Sequence, residues 1–160
     1  MTLDLKLGLG LSLTGRYAAM GQQAATALGI FVADLNSVGG IIVDDVPRRV
    51  TLNCIDDQSR VDRTQAIYRD LCFANRHDLV FGPYSSVLTR AAAPIAAEAG
   101  LLLVNHGGAD DALHEQGNRL IVSILSPASE YLVGFADLLA TLKLWRKRVA
   151  IAAATRALSR

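Results

Sequence analysis

Two stretches of this chain share one build, in which an apolar run of strand length passes straight into a small turn and then into a helical pattern. The first is Val80-Phe-Gly-Pro-Tyr-Ser-Ser-Val-Leu-Thr89, and the second is Leu101-Leu-Leu-Val-Asn-His-Gly-Gly-Ala-Asp-Asp111. Strands that feed helices through such short turns point to parallel pairing, because parallel neighbours need a crossover and antiparallel ones do not. The same arrangement suits a small anion. The first amides of a helix lack intrahelical partners and carry about half a positive charge, which favours a carboxylate or phosphate there. Ser85 or Ser86 can cap the helix and also offer a hydroxyl, while Gly107 and Gly108 let a second backbone approach without a Cβ in the way. The plainer alternative is an ordinary cap and an ordinary turn, which α/β proteins use throughout.

The rest of the chain keeps the alternation. Leu5 to Leu13 reads as a strand, Gly15 to Gly21 as a flexible turn, and Ala25, Leu28, Val32 and Leu35 recur at helical spacing until Gly39-Gly40. A second strand is expected over Arg49 to Ile55, a polar turn over Asp56 to Ser59 and a second helix over Asp62 to Asn75. The third strand runs from Leu79 to Phe81, the third helix from Ser86 to Ala99 and the fourth strand from Leu101 to Asn105. A short helix over Asp110 to Gln116 and a fifth strand over Arg119 to Leu125 follow. The pattern predicts an α/β fold with an open, doubly wound, mostly parallel sheet whose post-strand loops share one rim, where ligands bind.

Ser126-Pro127 interrupts this pattern. A helix over Ala128 to Leu142, a basic turn at Arg146-Lys-Arg148 and a strand over Val149 to Ala153 then read as the opening of a second α/β layer. The expected division is a ligand-binding lobe over 1–126 and, over 127–160, a hinge with the first helix and strand of an incomplete second lobe. On this reading the chain is cut short. The uncovered helix, with Leu132, Phe135, Leu138, Leu139 and Leu142, is expected to promote self-association.

At 160 residues the chain can bury about 70% of its unfolded surface in one core. Its formal net charge of +1, with both signs scattered, gives no footprint for nucleic acid or an anionic membrane. The apolar runs Leu101 to Val104 and Leu120 to Leu125 fall far short of the ~20 residues that span a bilayer. Met1-Thr-Leu-Asp-Leu-Lys-Leu7 alternates as a strand and lacks the features of a secretory leader, so the chain is expected to be cytoplasmic or to have lost its export signal. Cys54 and Cys72 lack metal or redox spacing and read as buried free thiols rather than a disulfide.

An ordered set of short motifs carries a family resemblance. It comprises Thr14-Gly15 with Met20-Gly21, Asp34-Leu-Asn36 with Gly39-Gly-Ile41, Asp56-Asp57-Gln58, Phe81-Gly-Pro-Tyr-Ser-Ser86, and Glu98-Ala-Gly100 before Asn105-His-Gly-Gly-Ala109. Together these resemble the periplasmic leucine/isoleucine/valine-binding protein family, the substrate-binding components of amino-acid ABC transporters. The resemblance implies one lobe of a type I periplasmic binding fold, a small amino acid or carboxylate ligand closed between two lobes, an ABC permease as partner and a periplasmic location. It places the ligand's carboxylate and ammonium on Ser86, on the Gly107 carbonyl and at Ala109, where relatives commonly carry a threonine hydroxyl. The residue before Gly21, often an aromatic wall of the pocket, is Met20 here. Tyr84 either walls the pocket or packs beneath the loop, and Ser85 and His106 complete the candidate set.

Other chemistries fit less well. Gly8-Leu-Gly10 lacks the third glycine of a dinucleotide fingerprint, and Gly82-Pro-Tyr-Ser85 is not a nucleophile elbow, so Ser85, His106 and Asp110 read as loop residues and a helix cap rather than a triad. His106, Asp110, Asp111 and His114 do not share the one helical face an i, i+4 metal site requires. Arg60, Arg63, Arg69 and Arg76 with Asp62 and Asp70 read as a solvated mixed-charge face, and Tyr131 and Trp145 as aromatics of a surface meant to be covered. The reading is of a non-enzymatic binding protein without cofactor or metal. Its alternatives are a cytoplasmic amide or amino-acid sensor on the same fold, a small α/β enzyme, and an inactive truncated product.

Overall fold

The structure, a computed structural model, describes residues 4–75, 77–115, 117–143 and 150. In chain order the elements are β1 (Leu5–Leu11), α1 (Ala18–Ser37), β2 (Ile41–Val43), β3 (Val46–Arg48), β4 (Val50–Asp56) and α2 (Val61–Arg69). They continue with β5 (Leu79–Phe81), α3 (Ser86–Glu98), β6 (Leu103–Asn105), α4 (Ala112–Glu115), β7 (Ile121–Ser123) and α5 (Val133–Thr141). A π turn over Asp70–Ala74 prolongs α2, and a 3-10 turn over Ala128–Glu130 precedes α5. The main sheet runs β4-β1-β5-β6-β7, and every pairing in it is parallel. The open parallel α/β architecture is therefore as the alternation predicts.

The composition of β1 explains how helices cover both faces. Leu7, Leu9 and Leu11 are buried, and Leu7 shares a cluster with Val32 of α1 and Val50 of β4. On the other face a Cβ at Gly8 would stand 3.0 Å from His77 and Leu71, and one at Gly10 would stand 3.2 Å from Tyr68. The two glycines thus admit α2 and its π turn close to the strand, a packing role unrelated to nucleotide binding. Beyond them lies the larger core, in which Tyr68, Leu71, Val80, Ala92 and Leu103 are fully buried. The Tyr68 hydroxyl donates to the Phe81 carbonyl, which satisfies the one polar atom of that ring.

Several boundaries differ from the sequence pattern, each for a physical reason. The stretch from Gly15 to Gly21, expected as a flexible turn, is already helical from Ala18. A Cβ on Gly21 would lie 2.1 Å from the Ser12 carbonyl oxygen, so the position needs a residue without bulk where α1 crosses the end of β1. The hairpin β2–β3 was hidden by Pro47 and by its shortness; its two-residue turn, Asp44-Asp45, has φ of 51° and 61°, as a type I′ turn requires. The helix expected over Ala128 to Leu142 is split into the 3-10 turn and α5, none of whose residues is buried. Leu132, Phe135, Leu138 and Leu142 are all exposed. Arg76, Gln116, Trp145, the basic turn at 146–148 and, apart from Ala150, the strand expected over 149–153 lie outside the described residues. Cys54 is half-buried and Cys72 buried, both are free thiols, and burial pushes the Cys72 thiol up to about 11.

Candidate functional site

β1 is flanked by β4 on one side and β5 on the other, so the chain leaves it first one way and then the other. At such a reversal the loops after the two strands part and leave a crevice at their C-terminal ends, the general ligand position of open α/β sheets. A cavity of about 370 Å³ lies there. Arg16 and Tyr17 border it from the loop after β1, and Tyr84, Ser85, Ser86 and Val87 from the start of α3. His106, Gly107 and Ala109 contribute from the loop after β6. Leu125 and Tyr131 close it from beyond β7.

Two adjacent carboxylates at the end of β4 hold the first loop. Asp56 accepts hydrogen bonds from the Leu13 amide (2.9 Å), the Thr14 amide (3.2 Å), the Thr14 hydroxyl (2.7 Å) and the Gln58 amide (2.9 Å). Desolvation is the largest single influence and pushes its carboxyl up, but these bonds together hold it below the ordinary value. The Ser59 hydroxyl accepts from the Tyr17 amide at 3.0 Å, which fixes the ring that enters the cavity. Asp57 is fully buried; its Oδ1 accepts from the Ser12 hydroxyl (2.6 Å) and the Ser59 amide (2.8 Å), while Oδ2 has no partner among the described residues.

Burial therefore raises the Asp57 carboxyl above its ordinary value despite the bonds from Ser12 and Ser59, and the nearby Asp56 charge adds to the rise. The folded chain keeps a proton that the unfolded chain releases, so stability falls as pH rises from the usual carboxylate range through the raised value. Asp57→Asn is expected to remove this slope. Its melting temperature should match the parent near pH 4 and exceed it at pH 7, whereas parallel curves would contradict the assignment.

The start of α3 is built to stay open. Ser85 takes φ 98° and ψ 145°, a strained setting for a residue with a side chain, and its hydroxyl accepts from the Leu88 amide at 3.4 Å. Ser85 is thus the cap that the sequence left undecided between Ser85 and Ser86. The amides of Ser86 and Val87, first in the helix, find no acceptor among the described residues. The Ser86 hydroxyl, buried at 7% exposure, accepts from the Ala109 amide at 3.1 Å and so ties the two loops together. The Gly107 carbonyl accepts from the Ser85 amide at 3.2 Å, and a Cβ on Gly107 would meet the Tyr84 Cα at 2.8 Å.

The second loop is organised by Asn105, which is fully buried. Its Nδ2 donates to the Gly108 carbonyl (2.6 Å) and the Ser123 hydroxyl (2.7 Å), and its Oδ1 accepts from the amides of Gly107 (3.2 Å) and Gly108 (2.8 Å). The Ala109 carbonyl accepts from the Ala128 amide at 2.7 Å, and the Ser129 hydroxyl donates to Asp111, so the 3-10 turn that carries Tyr131 is attached to this loop. Asp110 caps α4 through the Ala112 amide (3.1 Å) and pairs with Arg90 (3.2 Å). Burial holds the His106 imidazole below its ordinary value, against the Gly82 carbonyl and its own.

Of the candidate residues, the structure brings Tyr84, Ser85, Ser86, His106, Gly107 and Ala109 to one cavity. It does not bring Met20 or Gly108 there. Met20 lies on α1 with 43% of its surface exposed, and the aromatic wall expected at that end is supplied by Tyr17. Gly108 faces α3 instead, where a Cβ would meet the Thr89 hydroxyl at 2.7 Å. Arg16, Tyr17, Val87, Leu125 and Tyr131 went unrecognised as wall residues, although Arg16 and Tyr17 follow the quoted Thr14-Gly15 motif directly.

Solved proteins share this fold. The branched-chain amino acid transporter substrate binding protein LivJ from Streptococcus pneumoniae, solved with isoleucine, superposes with a TM-score of 0.71 at 23% identity over 81% of this chain and 38% of that one. A leucine binding protein, LivK, from Thermotoga maritima gives 0.73 at 17% over 88% of this chain and 37% of that one. An ABC transporter solute binding protein from Rhodopseudomonas palustris, solved with 3,4-dihydroxy benzoic acid, gives 0.74 at 19% over 87% and 36%. At these identities the likeness is one of fold, that of a type I periplasmic binding lobe, and this chain spans little more than a third of each of their lengths. The family model for periplasmic binding proteins matches residues 4–160, and the chain belongs to that family.

Proposed function

We propose that this chain is the first ligand-binding lobe of a periplasmic substrate-binding component of an ABC transporter, which captures an amino acid or related small carboxylate. A second lobe closes over the ligand, and the closed form delivers it to a membrane permease; no chemical turnover is involved. The observation that carries the reading is the open start of α3, where the free amides of Ser86 and Val87 and the Ser86 hydroxyl meet the cavity at the sheet's reversal point. Isoleucine and 3,4-dihydroxy benzoic acid, the ligands of two proteins of this fold, have a carboxylate in common, which is the group such a site favours.

A thermal melt of the purified chain, alone and with branched, aromatic and polar amino acids and simple carboxylates, tests this. A ligand at 100 times its Kd raises stability by about 2.7 kcal/mol, and the shift converts to an affinity. Ser86→Ala is expected to weaken binding about tenfold or more, because it removes a hydroxyl from a charge-assisted contact and frees the Ala109 amide. A melt indifferent to every carboxylate, or a Ser86→Ala variant that binds as the parent does, would contradict the reading.

A further inference from the structure

We infer that Asp57 is a positioning residue for the cavity: it holds the wall at Arg16 and Tyr17 most firmly when it carries a proton, so that a ligand is captured together with a proton. The inference rests on the carboxylate-capture reading above. Asp57 is fully enclosed by the described residues, and its Oδ2 has no partner among them. A protonated carboxyl leaves one hydroxyl unpaired there, whereas an ionised one leaves an unpaired charge, which is far more costly to bury. The charge that acts on it is that of its neighbour Asp56, of like sign. The other titratable groups facing it are the Cys54 thiol on β4 and the Tyr68 hydroxyl on α2, and burial favours the neutral form of both.

An ionised Asp57 gains water when its two bonded neighbours, Ser12 and Ser59, move away, and both lead to the wall. Ser12 packs against Gly21 in the first turn of α1. The Ser59 hydroxyl accepts from the Tyr17 amide at 3.0 Å and donates to the Thr14 carbonyl at 3.0 Å. Between those two bonds Gly15 takes φ 84°, and a Cβ there would lie 2.8 Å from the Ser59 hydroxyl oxygen. The segment from Ser12 to Tyr17 is thus seated on Asp57 and Ser59. It carries Arg16 and Tyr17 to the cavity, where the Tyr17 ring meets Tyr84 edge to face with centroids 6.0 Å apart. A ligand that needs this wall in place binds the protonated form better, and by linkage it strengthens the hold of Asp57 on its proton. A carboxylate in the cavity acts in the same direction, as a further negative charge. Affinity is therefore full below the value of Asp57 in the free chain, which burial has raised above the usual carboxylate range, and falls as pH rises from there.

Isothermal titration of leucine and of 4-hydroxybenzoate into the chain, from pH 5 to pH 8 in buffers of different ionisation enthalpy, counts the protons taken up. The parent is expected to take up a fraction of a proton per ligand bound and to lose affinity about threefold or more across the range. Asp57→Asn, which mimics the protonated form, is expected to lose that uptake and to bind at pH 8 as tightly as the parent does at pH 5. Protons taken by His106, the imidazole of the wall, would persist in this variant. Ser59→Ala keeps the amide bond to Asp57 but removes the hydroxyl that seats Tyr17, so it is expected to keep the pH slope of the melting temperature while its proton uptake on binding is reduced. Equal uptake in the parent and Asp57→Asn, a parent affinity independent of pH, or undiminished uptake in Ser59→Ala would overturn the inference while leaving carboxylate capture standing. Failure of both probes to bind at every pH would overturn both.

Discussion

Gly21→Ala is expected to destabilise the chain by about 3 kcal/mol or more, the upper range for forcing bulk into a packed contact. The added Cβ would lie 2.1 Å from the Ser12 carbonyl oxygen and 2.7 Å from its carbon, and neither is a side-chain tip that can turn aside. Relief requires α1 to move off the end of β1, and that movement drags Arg16 and Tyr17 with it, since they stand between the two elements. Against a typical total of about 5–15 kcal/mol, such a loss is visible as a large fall in the urea midpoint with little change in slope. Gly29→Ala, on the same helix with open space around its Cα, is the matched control and should be neutral or stabilising. Equal midpoints for the two variants would contradict the packing argument.

The second large effect is expected at Asn105. Alanine there removes four hydrogen bonds and leaves the Gly108 amide and carbonyl unpaired in a buried loop, a loss of about 3–4 kcal/mol when unsatisfied groups are counted at 1–3 kcal/mol each. Asn105→Asp separates hydrogen bonding from size. It keeps the shape but replaces the amide donor with an oxygen facing the Gly108 carbonyl and the Ser123 hydroxyl, so it should be at least as damaging as alanine near neutral pH. Both variants are expected to lose ligand binding as well as stability, because His106, Gly107 and Ala109 of this loop line the cavity. Denaturant midpoints with binding measured below the transition check this; an Asn105→Asp chain as stable as the parent would rule out the role assigned here.

The parallel sheet was legible because strand-length apolar runs alternate with helical spacing, and the rim that holds the cavity followed from where those runs end. Ser85, Ser86 and Gly107 could be placed because a cap and a close backbone approach each demand a particular residue type. What the residues did not disclose was three-dimensional adjacency. Tyr17 lies in the turn before α1, as its bracketing by Gly15 and Gly21 suggested, but its place against Tyr84 at the cavity exists only once the loops are brought together. Asn105 looked like the last residue of a strand; its role exists only once Gly108 and Ser123 are brought beside it. Tyr131 followed a proline joint and read as an aromatic of a surface meant to be covered; that it also borders the cavity shows only once the Ala109 carbonyl and Asp111 bind the turn before it. Met20 was placed by likeness to relatives rather than by any local constraint, and helical geometry turned it away from the cavity.

The central claim, capture of a carboxylate at the open start of α3, is tested most directly by following backbone amide resonances while 4-hydroxybenzoate and leucine are titrated separately into the chain. The account predicts that with whichever ligand binds, the largest saturable shifts fall on Ser86 and Val87, with Gly107 and Ala109 next, and that Ser86→Ala weakens the response. Saturable shifts centred instead on the groove between Arg90, Glu98 and Arg119, or no saturable shift at Ser86 and Val87 with either ligand, would contradict it.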